Sequence, residues 1–368
     1  MSMHKAAGSA GSQIVSYHPA LDGVRAICII FTVANHLPHM PAFINGTVGV
    51  DIFFALSGWL ITWLLMSERE STGSISLRSF YIRRAFRILP LYYVTVLLYG
   101  IAAVASIYVK HDRSDMGDYI NSFWFMVSMN SEYKPDASGN IFGQSWTIGI
   151  EEKFYILWPF LLVLSARWPR VSTVLAVVCP VALIAMGEGT SYLLRGYVGL
   201  GFGAGFAVAA FHAEKVRVFL LHRVTPYAAL AAIVAAYGFG TFITRATCWN
   251  LAISFNAAIL IGALWLKPDR EIGRLLSFAP LASVGRLTYA VYLTHVLVAN
   301  VCVMAFQKLH FSPHWAVSFS FAYLASLAAA YVLHRLVEKP LIAVGRATAS
   351  RPPRSIGSAA PDHADGAA

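Results

Sequence analysis

Apolar runs of about 17–22 residues recur along most of this 368-residue chain, the span a bilayer core demands of a helix. No other feature restricts the fold as much. Charged residues make up 12% of the chain, against about 25% in soluble domains, while 57% are hydrophobic and 13% aromatic. The pattern predicts an all-α polytopic membrane protein. The expected spans run over about 21–37, 46–66, 90–109, 145–166, 172–187, 191–211, 224–243, 249–266, 280–306 and 314–337. That is a bundle of about ten transmembrane helices, with both termini on one side.

The net charge of +10 follows this topology. Of the 28 lysines and arginines, eighteen fall in segments on the side of the N-terminus, five on the other side and five within the spans. The positive-inside rule then makes both termini cytoplasmic, and no nucleic acid is needed to account for the basic excess. Residues 1–17 are expected to form a cytoplasmic segment, 18–341 the transmembrane domain, and 342–368 a cytoplasmic tail disordered from about 350 on. No secretory signal is expected, because Arg25 interrupts the first apolar run. The long outer loop, about 110–143, carries a semi-apolar piece, YINSFWFMVSMN, suited to a short helix on or in the membrane. Cys28, Cys179, Cys248 and Cys302 lack metal or redox spacing and read as apolar fillers, and no metal site is expected.

Ionisable groups at membrane depth usually pair or face a cavity. Nine are expected here: Arg25, His36, Asp51, Glu151, Glu152, Lys153, Arg195, Arg286 and His295. Eleven residues at about 100° each return close to whole turns, so Arg25 and His36 share a helix face about 16 Å apart along the axis. They can hold the two ends of an elongated ligand. A plainer reading has Arg25 reaching headgroups and His36 capping the helix. Asp51 opens the next span on the side of His36. A carboxylate there can orient an imidazole as general base, or simply meet the helix dipole. Arg84 and Arg87, three apart with Arg83 beside them, suit a phosphate-bearing partner, with anionic lipid as the alternative. Pro90 is expected to restart the chain into the third span. Of the neighbours Glu151 and Glu152, only one can readily look inward with His36. Arg286, Tyr289, Tyr292 and His295 place a polar stripe along the ninth span, where His295 suits either a substrate contact or a satisfied structural role.

Taken in order, Arg25-x10-His36, VDIFFALSGWLI, Arg84-x-x-Arg87, WTIGIEEKFYILWP, GRLTYAVYLTH and EKPL resemble the membrane-bound acyltransferase family usually called acyltransferase 3. The resemblance covers about residues 18–341. It implies transfer of an acyl group, most often acetyl from acetyl-CoA, to a sugar hydroxyl of an envelope or secreted glycan. The expected acceptors are an exopolysaccharide, O-antigen, lipo-chitin signal or similar glycan, and the expected place is the bacterial inner membrane. It further implies that His36 is the base and that Arg25, Arg84 and Arg87 bear on coenzyme A. From their own positions, Asp51 and Glu151 are expected beside His36 in the catalytic set, and Arg286, Tyr289 and His295 on substrate. Two departures stand out. Lys153 occupies a place where relatives commonly carry Gln, and no appended hydrolase-like domain is expected. The rival reading is a transporter or flippase of a glycan or lipid precursor, which would also line a cavity with charges.

Overall fold

The computed structural model describes residues 17–41, 44–109, 111–134, 141–164, 192–242 and 246–350, together with 168, 170, 171 and 174. Among them every regular element is helical. Helix α1 (Pro19–Ala34) starts with proline in its first turn, where no N–H is missed, and carries Asp22 at its positive end. Helix α2 (Thr47–Thr72) stops at Gly73, whose φ of 79° lets its N–H reach back to the Arg69 carbonyl.

Helix α3 (Leu77–Val109) runs through Pro90 without a break, contrary to the expectation that the proline restarts the chain. Proline removes one backbone hydrogen bond, a loss that packed membrane helices tolerate. The arginine pair is therefore part of the third helix rather than of a separate segment. The semi-apolar loop piece forms α4 (Ser114–Val127), and α5 is Trp146–Leu164. Then come α6 (Tyr192–His212) and α7 (Glu214–Leu221), with a sharp bend of 109° between Arg195–His212 and Glu214–Leu221. Next are α8 (Thr225–Phe242), α9 (Ala246–Leu266), α10 (Glu271–Leu276), α11 (Ala279–Arg286), α12 (Thr288–Lys308) and α13 (Trp315–Leu333). One π turn, His334–Glu338, joins α13 to α14 (Lys339–Ala349).

Five helices among the described residues are long and apolar enough to cross a membrane, or six if the bent pair is one span. The expected figure was about ten. Helix α1 falls short with 16 residues, and Glu151, Glu152 and Lys153 lower the hydropathy of α5. Helix α8 offers only the shorter apolar piece Thr225–Gly240. The expected span 172–187 and the tail from 351 lie outside the described residues.

The most extensive helix contact among them joins α2 to α6, and small residues make it possible. A Cβ on Gly58 would run into the Leu200 carbonyl, and one on Gly203 into the Ala55 carbonyl. Fully buried Trp59 packs beside this seam, in a core shared by α1, α2, α6 and α9. A second core joins α2, α3, α5 and α12, and the space left between these helices and the π turn is the cavity described next.

Candidate functional site

A cavity of about 360 Å3 opens between α1, α2, α3, α5, α12 and the π turn. Six of the expected site residues line it: Arg25, Arg84, Arg87, Glu151, Arg286 and Tyr289. Arg25, half-buried on α1, is held by Asp22 one turn earlier at 2.5 Å. The Arg84 guanidinium lies over the Tyr155 ring, 4.9 Å from its centroid, and 5.8 Å from that of Phe80. Cation–π contact of this kind fixes the arginine without consuming its N–H donors. Arg87 forms no ion pair among the described residues and is exposed to the cavity. Glu151 accepts a 2.6 Å hydrogen bond from the Ser57 hydroxyl. Arg286 donates to the Tyr17 hydroxyl at 2.8 Å, and the Tyr289 hydroxyl donates to the Ile88 carbonyl at 2.8 Å.

Thr147 and Tyr292 also line the cavity. The Tyr292 hydroxyl donates to the Gln144 carbonyl at 3.0 Å and accepts from the Thr147 hydroxyl at 2.7 Å. One helical turn further along α12 stands His295, fully buried, its ring centroid 5.8 Å from that of Tyr292. His295 reaches His36: the His295 Nε2 to His36 Nδ1 separation is 3.2 Å, with the rings edge to face.

The carbonyls around these imidazoles assign their tautomers. His36 Nδ1 lies 2.9 Å from the Thr32 carbonyl, and His295 Nδ1 lies 2.7 Å from the Tyr292 carbonyl. A carbonyl only accepts, so both Nδ1 atoms carry hydrogen and both Nε2 atoms carry lone pairs. His295 Nε2 then accepts from His36 Nδ1–H, which is shared with Thr32. His36 is left with a free Nε2 lone pair on an exposed ring, the arrangement a general base requires.

Asp51 does not provide that orientation. Its buried carboxylate is clamped by Arg195, Nε to Oδ1 and a terminal nitrogen to Oδ2, both at 2.6 Å, and the same nitrogen donates to the Thr47 carbonyl at 2.9 Å. The expected Asp51–His36 partnership is replaced by an ion pair across α2 and α6. Lys153 likewise turns away from the cavity. It pairs with Glu132, donates to the Met129 carbonyl at 3.0 Å and lies 5.1 Å from the centroid of the Tyr133 ring.

Sequence reasoning missed several lining residues. Ser57 lies within the VDIFFALSGWLI motif with no role given. Glu338 was part of the EKPL motif with no role given, and His334 was not singled out. His334 Nδ1 stands 2.8 Å from the Glu338 carboxylate, one turn apart, and both face the cavity. The His-x3-Glu spacing is the signal that could have found them. A π turn carries the pair, and such turns cluster at functional sites.

Residues 18–335 match a family model described as an acyltransferase domain. The chain is 37% identical over 166 residues to a Staphylococcus aureus protein named "Putative O-acetyltransferase", covering 44% of this chain and 27% of that one. It is 29% identical to "Putative peptidoglycan O-acetyltransferase YrhL" of Bacillus subtilis, covering 91% of this chain and 56% of the relative. It is 27% identical to "Peptidoglycan O-acetyltransferase OatA" of Listeria monocytogenes, covering 76% of this chain and 49% of the relative. The chain thus spans about half the length, or less, of these curated relatives. No solved structure matches it.

Proposed function

The chain belongs to the acyltransferase family whose domain model it matches, and on that premise we propose that it is a multi-pass membrane O-acetyltransferase acting on a glycan hydroxyl. One observation carries the reading: a cavity whose cations Arg25, Arg84 and Arg87 lead towards Tyr292 and, one turn beyond, to a histidine pair with a free Nε2. Acetyl-CoA is the donor whose shape this fits, being long, phosphate-rich at one end and a thioester at the other. The arginines bind its phosphates through charge-assisted hydrogen bonds. The basic side of the chain, with both termini, faces the cytoplasm, where that donor is made. The bundle of about ten spans and the inner (cytoplasmic) membrane complete this placement.

In the reaction, His36 Nε2 takes the proton of the acceptor hydroxyl as its oxygen attacks the thioester carbonyl carbon. The tetrahedral oxyanion collapses, the C–S bond breaks and the departing thiolate takes the proton from His36 Nε2, which restores the base. His295 holds His36 in the right tautomer; Glu151, Arg286 and Tyr289 line the path of the donor. Asp51 contributes by fixing α2 against α6. The names of the Bacillus and Listeria relatives make peptidoglycan the first acceptor to try, ahead of exopolysaccharide, O-antigen and lipo-chitin.

The test uses membranes containing the protein, labelled acetyl-CoA and each acceptor in turn. Label should pass to the glycan and fall by about 10²–10⁴-fold in His36→Ala at equal protein level, the usual worth of a positioned base. Full transfer by that variant would remove His36 from the mechanism. Glycan movement across the membrane without acylation would favour a transporter.

A further inference from the structure

A second cavity, of about 560 Å3, adjoins the first and shares Arg25, Arg84, Arg87 and Arg346 with it. It lies at the end of the bundle where α1 and α3 begin and α2, α9 and α14 end. Five arginines and two carboxylates line it, so it carries a clear positive excess. Arg83 is held by Glu68 at 3.5 Å, while Arg346 is exposed and forms no ion pair among the described residues.

One wall is aromatic, and its construction is unusual for a surface that only meets water. Trp59 stacks on Trp63 at 5.6 Å between centroids, Trp63 meets Trp265 edge-on at 6.1 Å, and Trp265 stacks on His18 at 4.0 Å. The ladder begins at a fully buried tryptophan and ends at half-buried rings lining the cavity. A rigid aromatic ledge beside guanidinium groups recognises one chemistry: a planar base joined to phosphates.

We propose that this second cavity is the subsite for the nucleotide end of the acyl donor. The purine stacks on the Trp265–His18 ledge, Arg83 and Arg346 hold the 3′-phosphate, and Arg25, Arg84 and Arg87 take the pyrophosphate where the two cavities meet. This rests on the acyl-CoA reading above and extends it to residues with no role there. Glu68 keeps Arg83 placed when the site is empty and yields it to the phosphate. An anionic lipid headgroup would satisfy the same arginines, but it has no use for the aromatic ledge.

The experiment measures initial rates with the full chain in nanodiscs and three donors: acetyl-CoA, its 3′-dephospho form, and acetyl-4′-phosphopantetheine, which lacks the nucleotide. For the unaltered protein, kcat/KM should fall by at least about ten-fold from the first donor to the third, the scale of one base stack. In Trp265→Leu that ratio should shrink by about the ten-fold worth of one base stack, whereas Trp265→Phe, which keeps a stacking ring, should preserve most of it. In Arg83→Gln with Arg346→Gln, acetyl-CoA should lose its advantage over the dephospho donor alone. Should Trp265→Leu be poorly folded, equilibrium binding of adenosine 3′,5′-bisphosphate to Trp265→Phe and His18→Ala reads the same ledge, with weaker binding expected only in His18→Ala. Equal effects on all three donors would overturn the subsite, as would unchanged ratios, or loss of anionic-lipid binding with donor ratios intact. Absence of transfer from acetyl-CoA by the unaltered protein would instead refute the acyltransferase reading.

Discussion

Removing the Asp51 charge should cost the fold far more than it costs the chemistry. The Asp51 side chain is fully buried and that of Arg195 is 15% exposed, and two hydrogen bonds of 2.6 Å join them in parallel. Asp51→Asn leaves a guanidinium desolvated with no countercharge. Breaking one side of such a buried pair costs about 3–5 kcal/mol, or roughly two to four decades in the folding equilibrium. Arg195→Gln should cost a similar amount by stranding the carboxylate. The double variant, with neither charge left, should cost clearly less than the two single losses together, because the second change removes a penalty created by the first. Reversible unfolding in mixed detergent–SDS micelles gives all four free energies. In parallel, acyl transfer per folded molecule should stay close to that of the unaltered protein in Asp51→Asn. Two results would sink the argument. Additive single losses would mean that the two groups do not depend on each other. Intact stability with activity reduced 10²-fold or more would return Asp51 to the catalytic set.

The seam between α2 and α6 gives a second prediction. Gly203→Val should destabilise by about 1–3 kcal/mol in the same unfolding assay, since its Cβ meets the Ala55 carbonyl, whereas exposed Gly117→Ala on α4 should be neutral or slightly stabilising. For the histidine pair, His295→Ala should lower kcat about ten-fold or more and leave the KM for acetyl-CoA within two-fold, because it frees the His36 tautomer without touching the arginines; an unchanged kcat would show that Thr32 alone suffices. On the π turn, His334→Ala and Glu338→Gln should reduce kcat/KM by similar factors, and the double variant should lose no more than either one, the signature of residues acting as a unit; multiplying losses would separate them.

The charged residues at membrane depth explain how much of this molecule could be read in advance. Helical periodicity put Arg25 and His36 on one face, and the structure keeps them on α1 and its exit turn, with the arginine at the cavity and the histidine beyond its inner end. Local patterns also located Arg84, Arg87, Glu151 and Tyr289 on walls of one cavity. What they do not encode is which group satisfies which. His36 meets His295, 259 residues away, and Asp51 meets Arg195, 144 residues away. Both choices are made by helix packing that no short window contains. Pro90 was misjudged for a related reason: a helix breaker is defined on an isolated helix, whereas α3 draws support from its neighbours.

The same ionisable groups then sort by what their partners leave free. Asp51, Arg195 and Lys153 spend their charge on protein partners and hold helices and the Ser131–Tyr133 turn in place. Arg84, Arg87 and Arg346 form no ion pair among the described residues and all border a cavity. Arg87 and Arg346 are exposed and Arg84 is half-buried against Tyr155, so their charges are left to water or an anionic ligand in one connected space. That asymmetry separates the charged residues that build this bundle from those assigned to the proposed donor site, and it does so without reference to any motif.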